Sequence, residues 1–320
     1  PSALRHADGD LADGAQTSRG FADGAQASGD LAGGAQTSGG FADGAHIEGR
    51  SSVESSGGRP PRRRRVHVVG IGSGGLDQIT VEAVQALRES DFALAAVKRP
   101  SAGGEDPLFT RRVELLGRHA PGLELVGVAD PERDRSSSST STHGDYRGVV
   151  LDWHEARALA WEQVLAERPG DVAIPVWGDP AFYDSTSRIL DRITERGRLT
   201  FEVQVLPGIS ALQVLAARHR LVLHEIGGTV TVTTGRRLRE VVAAGADNVV
   251  VMLNSDLPLD GLDEWHIWWG GNLGDAGETL VAGRVGDVLA DLRQARERLR
   301  AEHGWVMDVY LLRRGEDVSG

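Results

Sequence analysis

The stretch Val66-His67-Val68-Val69-Gly70-Ile71-Gly72-Ser73-Gly74-Gly75 decides the reading of the fold. A short apolar run rich in valine and broken by glycines is the pattern of a buried strand that stops in a tight turn. Thr80 follows as an N-cap type, and Val81, Val84 and Leu87 then recur at helical spacing. Strand, glycine turn and helix form the opening unit of an α/β fold. Working outward, 92–97, 123–128, 171–177 and 201–206 read as further strands. Residues 151–168 read as a long amphipathic helix, and 131–148, with its serine run, as a flexible loop. A helix through Ile189 and Ile193 and another over 211–218 continue the alternation. Beyond them, 230–233, 248–253, 266–269, 279–282 and 305–312 read as strands, and 238–244 and 288–300 as helices. The expected class is α/β, with helices covering mostly parallel sheets.

Length and composition bound the function. A chain of 320 residues suits two domains of ordinary size, expected at 59–225 and 226–320. Residues 1–58 stand apart, with phrases such as Ala22-Asp23-Gly24-Ala25-Gln26 repeating about every ten residues and hardly a large apolar side chain. They read as a disordered leader or tag, ending near Ile47-Glu48-Gly49-Arg50, which resembles a protease site used in fusion proteins. The chain has no cysteine, which excludes disulfide scaffolds, thiolate metal sites and thiol nucleophiles. The formal net charge of −11 argues against a nucleic-acid partner, and the basic run 62–65 reads as a solvated tail. No apolar run reaches the roughly 18 residues of a membrane span, so a cytoplasmic protein without a membrane partner is expected.

Gly70, Gly72 and Gly75 match the dinucleotide fingerprint, which leaves a nicotinamide-dependent oxidoreductase as one reading. Two features oppose it. The helix starts at Thr80 rather than at the glycines, so its amides are displaced from any phosphate there. Asp91, at the right distance for a ribose, precedes its strand and so lies at the wrong end of the sheet.

Three turns carry a stronger signal: Val69-Gly70-Ile71-Gly72, Trp177-Gly178-Asp179-Pro180 and Leu206-Pro207-Gly208-Ile209-Ser210, each following an apolar strand. Ligands of open α/β sheets bind at such carboxyl ends. In this order and spacing the turns resemble those of the tetrapyrrole methylases, from about Val66 to Arg314. Ser73 and Gly75 depart from the proline and aspartate usual in that family's first turn. The resemblance implies two α/β domains with a cofactor cleft between them, S-adenosylmethionine as methyl donor, a tetrapyrrole substrate and a homodimer. It implies cofactor contacts from Ser73, Trp177, Gly178, Asp179, Phe182, Ser210, Ala211, Leu253, Ala282 and Gly283.

Further phrases narrow the branch: Asp152-Trp153-His154, Tyr183-Asp184-Ser185-Thr186 after the second turn, and Thr233-Thr234-Gly235-Arg236-Arg237. The branch they resemble methylates carbon 1 of precorrin-5 and releases an extruded two-carbon unit as acetate. A methylase for another ring position is the near alternative. Methyl transfer needs mainly alignment, whereas deacylation needs an acid–base group. Asp184, Tyr183 and His154 are the candidates, with Glu155 behind them. Arg236 and Arg237 are candidates for pairing with substrate carboxylates, and Arg147 and Arg157 weaker ones. No metal site is expected.

Overall fold

The computed structural model describes residues 63–98, 106–131 and 143–315, with side chains of the last segment from Trp153 onward. The low-complexity residues 1–58 and the whole serine run lie outside the described residues. Ten strands and seven α-helices follow in order: β1 (Arg64–Gly70), α1 (Val81–Glu89), β2 (Phe92–Val97), α2 (Pro107–His119), β3 (Leu125–Ala129), α3 (His143–Glu167), β4 (Val172–Val176), α4 (Thr186–Glu195), β5 (Phe201–Leu206), α5 (Ala211–His219), β6 (Thr231–Thr234), α6 (Leu238–Ala243), β7 (Asn248–Met252), β8 (His266–Gly271), β9 (Thr279–Arg284), α7 (Val285–His303) and β10 (Asp308–Arg313). No helix among the described residues is long and apolar enough to cross a membrane.

The first sheet has the order β3-β2-β4-β1-β5 and all its pairings are parallel. Its inner strands β2, β4 and β1 are largely buried on both faces, which is why β2 and β4 read as unbroken apolar runs, while edge strands β3 and β5 are more exposed. One core lies against α3 and α4, built on Trp161, Leu165, Ile174 and Ile189. The opposite core lies against α1 and α2, built on Leu87, Leu115 and Leu116. Thr80 caps α1 by accepting from the Ala83 amide at 3.1 Å. The face it buries is Ala83, Ala86 and Leu87 rather than the expected stripe, since Val81 is 75% exposed.

Three expectations change. Helix α2 is absent from the sequence reading, although Asp106 accepting from the Leu108 amide and Pro107 in the first turn form a regular helix start. Helix α3 begins at His143, inside the expected loop. The second sheet, β6-β7-β10-β8-β9, is mostly antiparallel; only β6 and β7 pair in parallel. The link from Gly271 to Thr279 is too short for a parallel crossover, which takes about a dozen residues or more. Helix α5 packs on β8 and β10 of this sheet, where Leu212, Val214 and Leu215 meet Val250, Val309 and Leu311.

Strand β4 pairs with β2 only at Val172 and Ala173, so the two strands part towards their carboxyl ends. Pro175 sits where they part; having no N–H to give, it loses no ladder bond there.

His67, on the inner strand β1, is 1% exposed, with Gln204 of the neighbouring strand β5 as its one polar neighbour of note and neither ring nitrogen in a well-formed hydrogen bond. Burial first, and the nearby Arg65 charge second, pull its pKa below the ordinary value. A base with a depressed folded pKa binds fewer protons when folded, so stability is lost as pH falls below about 6.5, the unfolded value. Unfolding in denaturant at pH 7 and pH 5 is expected to show His67→Leu losing less stability on acidification than the wild type. Equal losses in the two proteins would contradict this role.

Candidate active site

Three turns at the carboxyl ends of β1, β4 and β5 are tied to one another through the main chain. Ile71 donates to the Val176 carbonyl at 2.9 Å, and Gly178 donates to the Gly72 carbonyl at 2.7 Å, with the return bond at 3.3 Å. Asp179 then joins the second turn to the third. One carboxylate oxygen accepts from the Ala181 amide at 2.7 Å and the other from the Gly208 amide at 2.8 Å. The turns approach so closely that a Cβ on Gly208 would lie 2.1 Å from the Gly178 carbonyl oxygen. Gly178 differs: its φ is +64°, and a Cβ there would meet nothing nearer than the Ser210 Cα at 3.8 Å. Glycine at 208 is thus demanded by the neighbouring turn, whereas a Cβ at Gly178 would only reach ordinary contact with Ser210 and Ala211, and it is the left-handed backbone that favours glycine there.

The second sheet closes on these turns. Phe182, Ile209, Ala211 and Met252 share one apolar cluster, which brings the second and third turns to the end of β7. Leu253, just beyond β7, has φ +55° and is 62% exposed; Tyr183 has φ +54° and is 47% exposed. Left-handed backbone at two non-glycine residues is costly and accumulates at functional sites. Behind Leu253, Arg296 donates to the Asn254 and Ser255 carbonyls, both at 3.1 Å, and pairs with buried Asp308 at 2.8 Å. Trp269 donates to the same carboxylate at 3.1 Å. The first turn is fastened as well: Arg111 donates to the Gly74 carbonyl and pairs with Asp275 at 3.2 Å, in the loop after β8.

The remaining candidates separate. Ser73 is buried, and its hydroxyl reaches Gln78 and the Leu273 carbonyl. Ser210 is buried with its hydroxyl on Gln213. Trp177 keeps its indole N–H enclosed without a hydrogen bond, and the Arg112 guanidinium stands 5.4 Å over its ring. One Asp184 oxygen accepts from the Thr186 amide at 2.7 Å, opening α4. Burial pushes the Tyr183 phenol up, against a smaller pull from Arg237, so the phenol is a proton donor at neutral pH.

Arg236 and Arg237 are exposed at the end of β6, and Arg237 pairs with Glu240 at 2.7 Å. His154 is buried on α3 with its ring 5.2 Å from that of Trp153. Glu155 pairs with Arg192 and Arg196 of α4, and Arg157 with Asp130. The side chain of Arg147 lies outside the described residues. Ala282 and Gly283 are not brought to the crevice. They sit on edge strand β9, three strands from β7, about 14 Å at the usual spacing. Gly283 is there because a Cβ would strike Val288. Asp91 accepts from the Asp171 amide at the amino end of the sheet, far from the glycines, which removes the dinucleotide reading. Among the described residues no cluster of potential metal ligands occurs. The sequence reading missed Arg111, Arg112 and the Arg296–Asp308 support.

The carboxyl-end crevice and its glycine turns have their counterpart among known proteins. The chain belongs to the tetrapyrrole (corrin/porphyrin) methylases, whose family model matches residues 65–296. It is 36% identical over 263 residues to a precorrin-6A synthase (deacetylating) from Sinorhizobium sp, covering 80% of this chain and 97% of that one. A precorrin-2 C(20)-methyltransferase from the same source is 29% identical, over 59% of this chain and 74% of its own. Among solved structures, a cobalamin-synthesis-related protein (CobF) from Corynebacterium diphtheriae superposes with a TM-score of 0.67 at 33% identity, over 80% of this chain and all of that one.

The two glycines predict different failures. Gly208→Ala is expected to lower the unfolding temperature by several degrees, since main chain must move. Gly178→Ala is expected to cost only about 1–2 kcal/mol for its left-handed backbone yet to abolish calorimetric binding of S-adenosylhomocysteine. Normal binding by Gly178→Ala, or unchanged stability of Gly208→Ala, would contradict this division.

Proposed function

We propose that this protein is a precorrin-6A synthase of the deacetylating type, which methylates carbon 1 of precorrin-5 and releases acetate. The observation that carries the reading is the 36% identity to such an enzyme along 97% of its length. The intact turn assembly and the phrase Tyr183-Asp184-Ser185-Thr186 stand beside it.

The residues present fit S-adenosylmethionine. Left-handed Gly178, Trp177 with an indole N–H that lacks a partner, and the exposed left-handed Leu253 stand at the carboxyl ends of β4 and β7. Gly178, Ser210-Ala211 and Met252-Leu253 would hold the donor mainly through the main chain. Asp179, with both oxygens on backbone amides, shapes that seat. The donor supplies an electrophilic methyl group on a sulfonium.

The protein's contribution to methyl transfer is alignment and exclusion of water. Deacylation asks for more. Water must add to the carbonyl of the two-carbon unit, the carbon–carbon bond breaks with its electron pair left on the macrocycle, acetate departs, and that pair forms the new bond to the methyl group. Asp184 has one oxygen fixed by the Thr186 amide, and its second would take the proton from water. Tyr183, protonated at neutral pH as any phenol is, would donate to the carbonyl oxygen as charge develops.

Anaerobic incubation with precorrin-5 and S-adenosylmethionine, read by mass spectrometry, is expected to give one methyl transferred and one acetate released per turnover. Asp184→Asn is expected to slow acetate release and methyl transfer together by about 10²–10⁴-fold, with unreacted precorrin-5 remaining. Methylation without acetate release by the wild type would instead indicate a methylase for another ring position. Full turnover by Asp184→Asn would remove that residue from the chemistry.

A further inference from the structure

We propose that Arg112 is the receptor for a carboxylate of the substrate, at the wall of the crevice between α2 and the second turn. The proposal deepens the reading above and rests on the substrate being an acidic tetrapyrrole.

The geometry begins with the parting of β2 and β4. Arg112, on α2, reaches into the gap. Its Nε donates to the Pro175 carbonyl at 3.1 Å and its Nη1 to the Leu108 carbonyl, one turn back, at 3.2 Å. The guanidinium carbon stands 5.4 Å over the ring of Trp177, the residue that opens the second turn. Two carbonyls and an aromatic face therefore fix the plane of the group. A guanidinium carries five N–H donors, and here only two are spent. Nη2 makes no hydrogen bond to a described residue, and it is not among the atoms sealed from solvent without a partner.

No carboxylate among the described residues comes within ion-pair distance of Arg112. Asp106 and Asp184 attract it from further off, Arg157 repels it, and burial outweighs them all, pulling its pKa down to about 10. At neutral pH it is still a cation. A half-buried cation without an anion in contact carries an uncompensated desolvation cost, which a carboxylate reaching it would offset. Arg157, Arg296 and Arg111 are completed instead by Asp130, Asp308 and Asp275.

The chemistry of the missing partner follows from the donor set. Remaining N–H groups on a fixed planar fork match a carboxylate, which accepts two parallel bonds. Arg112 also lies close enough to Asp184 for their charges to interact. A carboxylate held there would orient the macrocycle relative to the group assigned to water activation. Arg237, by contrast, is exposed and already paired with Glu240.

Arg112→Gln and Arg112→Lys test this against the wild type in three anaerobic measurements. These are titration of S-adenosylhomocysteine, titration of precorrin-5 into enzyme saturated with S-adenosylhomocysteine, and steady-state turnover. Thermal unfolding is followed alongside. The expected result for Arg112→Gln is weaker precorrin-5 binding and higher KM by about 10- to 100-fold, with S-adenosylhomocysteine affinity and unfolding temperature near those of the wild type. Arg112→Lys, which keeps the charge but not the fork, is expected to fall between. Unchanged precorrin-5 binding by Arg112→Gln would overturn the proposal. So would equal losses of both ligands together with a lower unfolding temperature, because that pattern belongs to a strut between α2 and β4. A wild type that neither binds nor converts precorrin-5 would overturn the functional reading itself, and the assignment of Arg112 with it.

Discussion

Asp179 gives each carboxylate oxygen to a main-chain amide, Ala181 in its own turn and Gly208 in the next. Much of the site hangs on those two bonds and on the Gly72–Gly178 bridge beside them. Turns at strand ends are ordinarily free to vary. Here three of them are locked at main-chain contact distance, and the only residue that fits between the second and third is glycine. The lock fixes the directions in which Gly178, Ser210 and the start of α5 face. It also fixes where Phe182 and Tyr183 emerge, since both follow the Asp179 turn directly. A carboxylate in this role is a structural acceptor first. It acts on a ligand through the backbone it arranges.

The other wall is supported from behind. Asp308 receives Arg296 and Trp269 inside the second sheet, and Arg296 passes on to the carbonyls of Asn254 and Ser255. A buried pair of this kind contributes little net stability, but removing one member leaves an uncompensated charge. Its effect is positional: it holds the chain just past Leu253, whose exposed side chain and left-handed backbone face the crevice. The two walls thus use one device, a charged side chain clamping main chain, with opposite signs of charge: half-buried Asp179 on one, buried Arg296 on the other. The mainly antiparallel second sheet still presents the parallel ends of β6 and β7 to the carboxyl ends of the first.

Local features were legible in the sequence and relational ones were not. The glycine turns, the Thr80 cap and the apolar strands are written in neighbouring residues, so the α/β alternation and the place of the crevice could be read directly. Helix α2 announces itself only through Asp106-Pro107, a start signal without a clean apolar stripe behind it. The antiparallel second sheet turns on a short β8–β9 link whose consequence depends on which strands become neighbours. Ala282 and Gly283 were carried over by resemblance, and only the strand order shows them three strands away. Arg112 was invisible for the same reason: nothing local marks it among many arginines until β2 and β4 part and Trp177 comes to lie beneath it.

The account stands or falls on where the methyl donor sits. A crystal structure with S-adenosylhomocysteine bound tests this most directly. The predicted result is a ligand in contact with the backbone of Gly178, Ser210-Ala211 and Leu253, with Trp177 alongside and Asp179 still bonded to Gly208. A ligand lying along Gly72-Ser73-Gly74-Gly75 alone would contradict the account. So would one in the cavity of about 570 Å³ lined by Arg64, Asp91 and Phe201 at the amino ends of the first sheet.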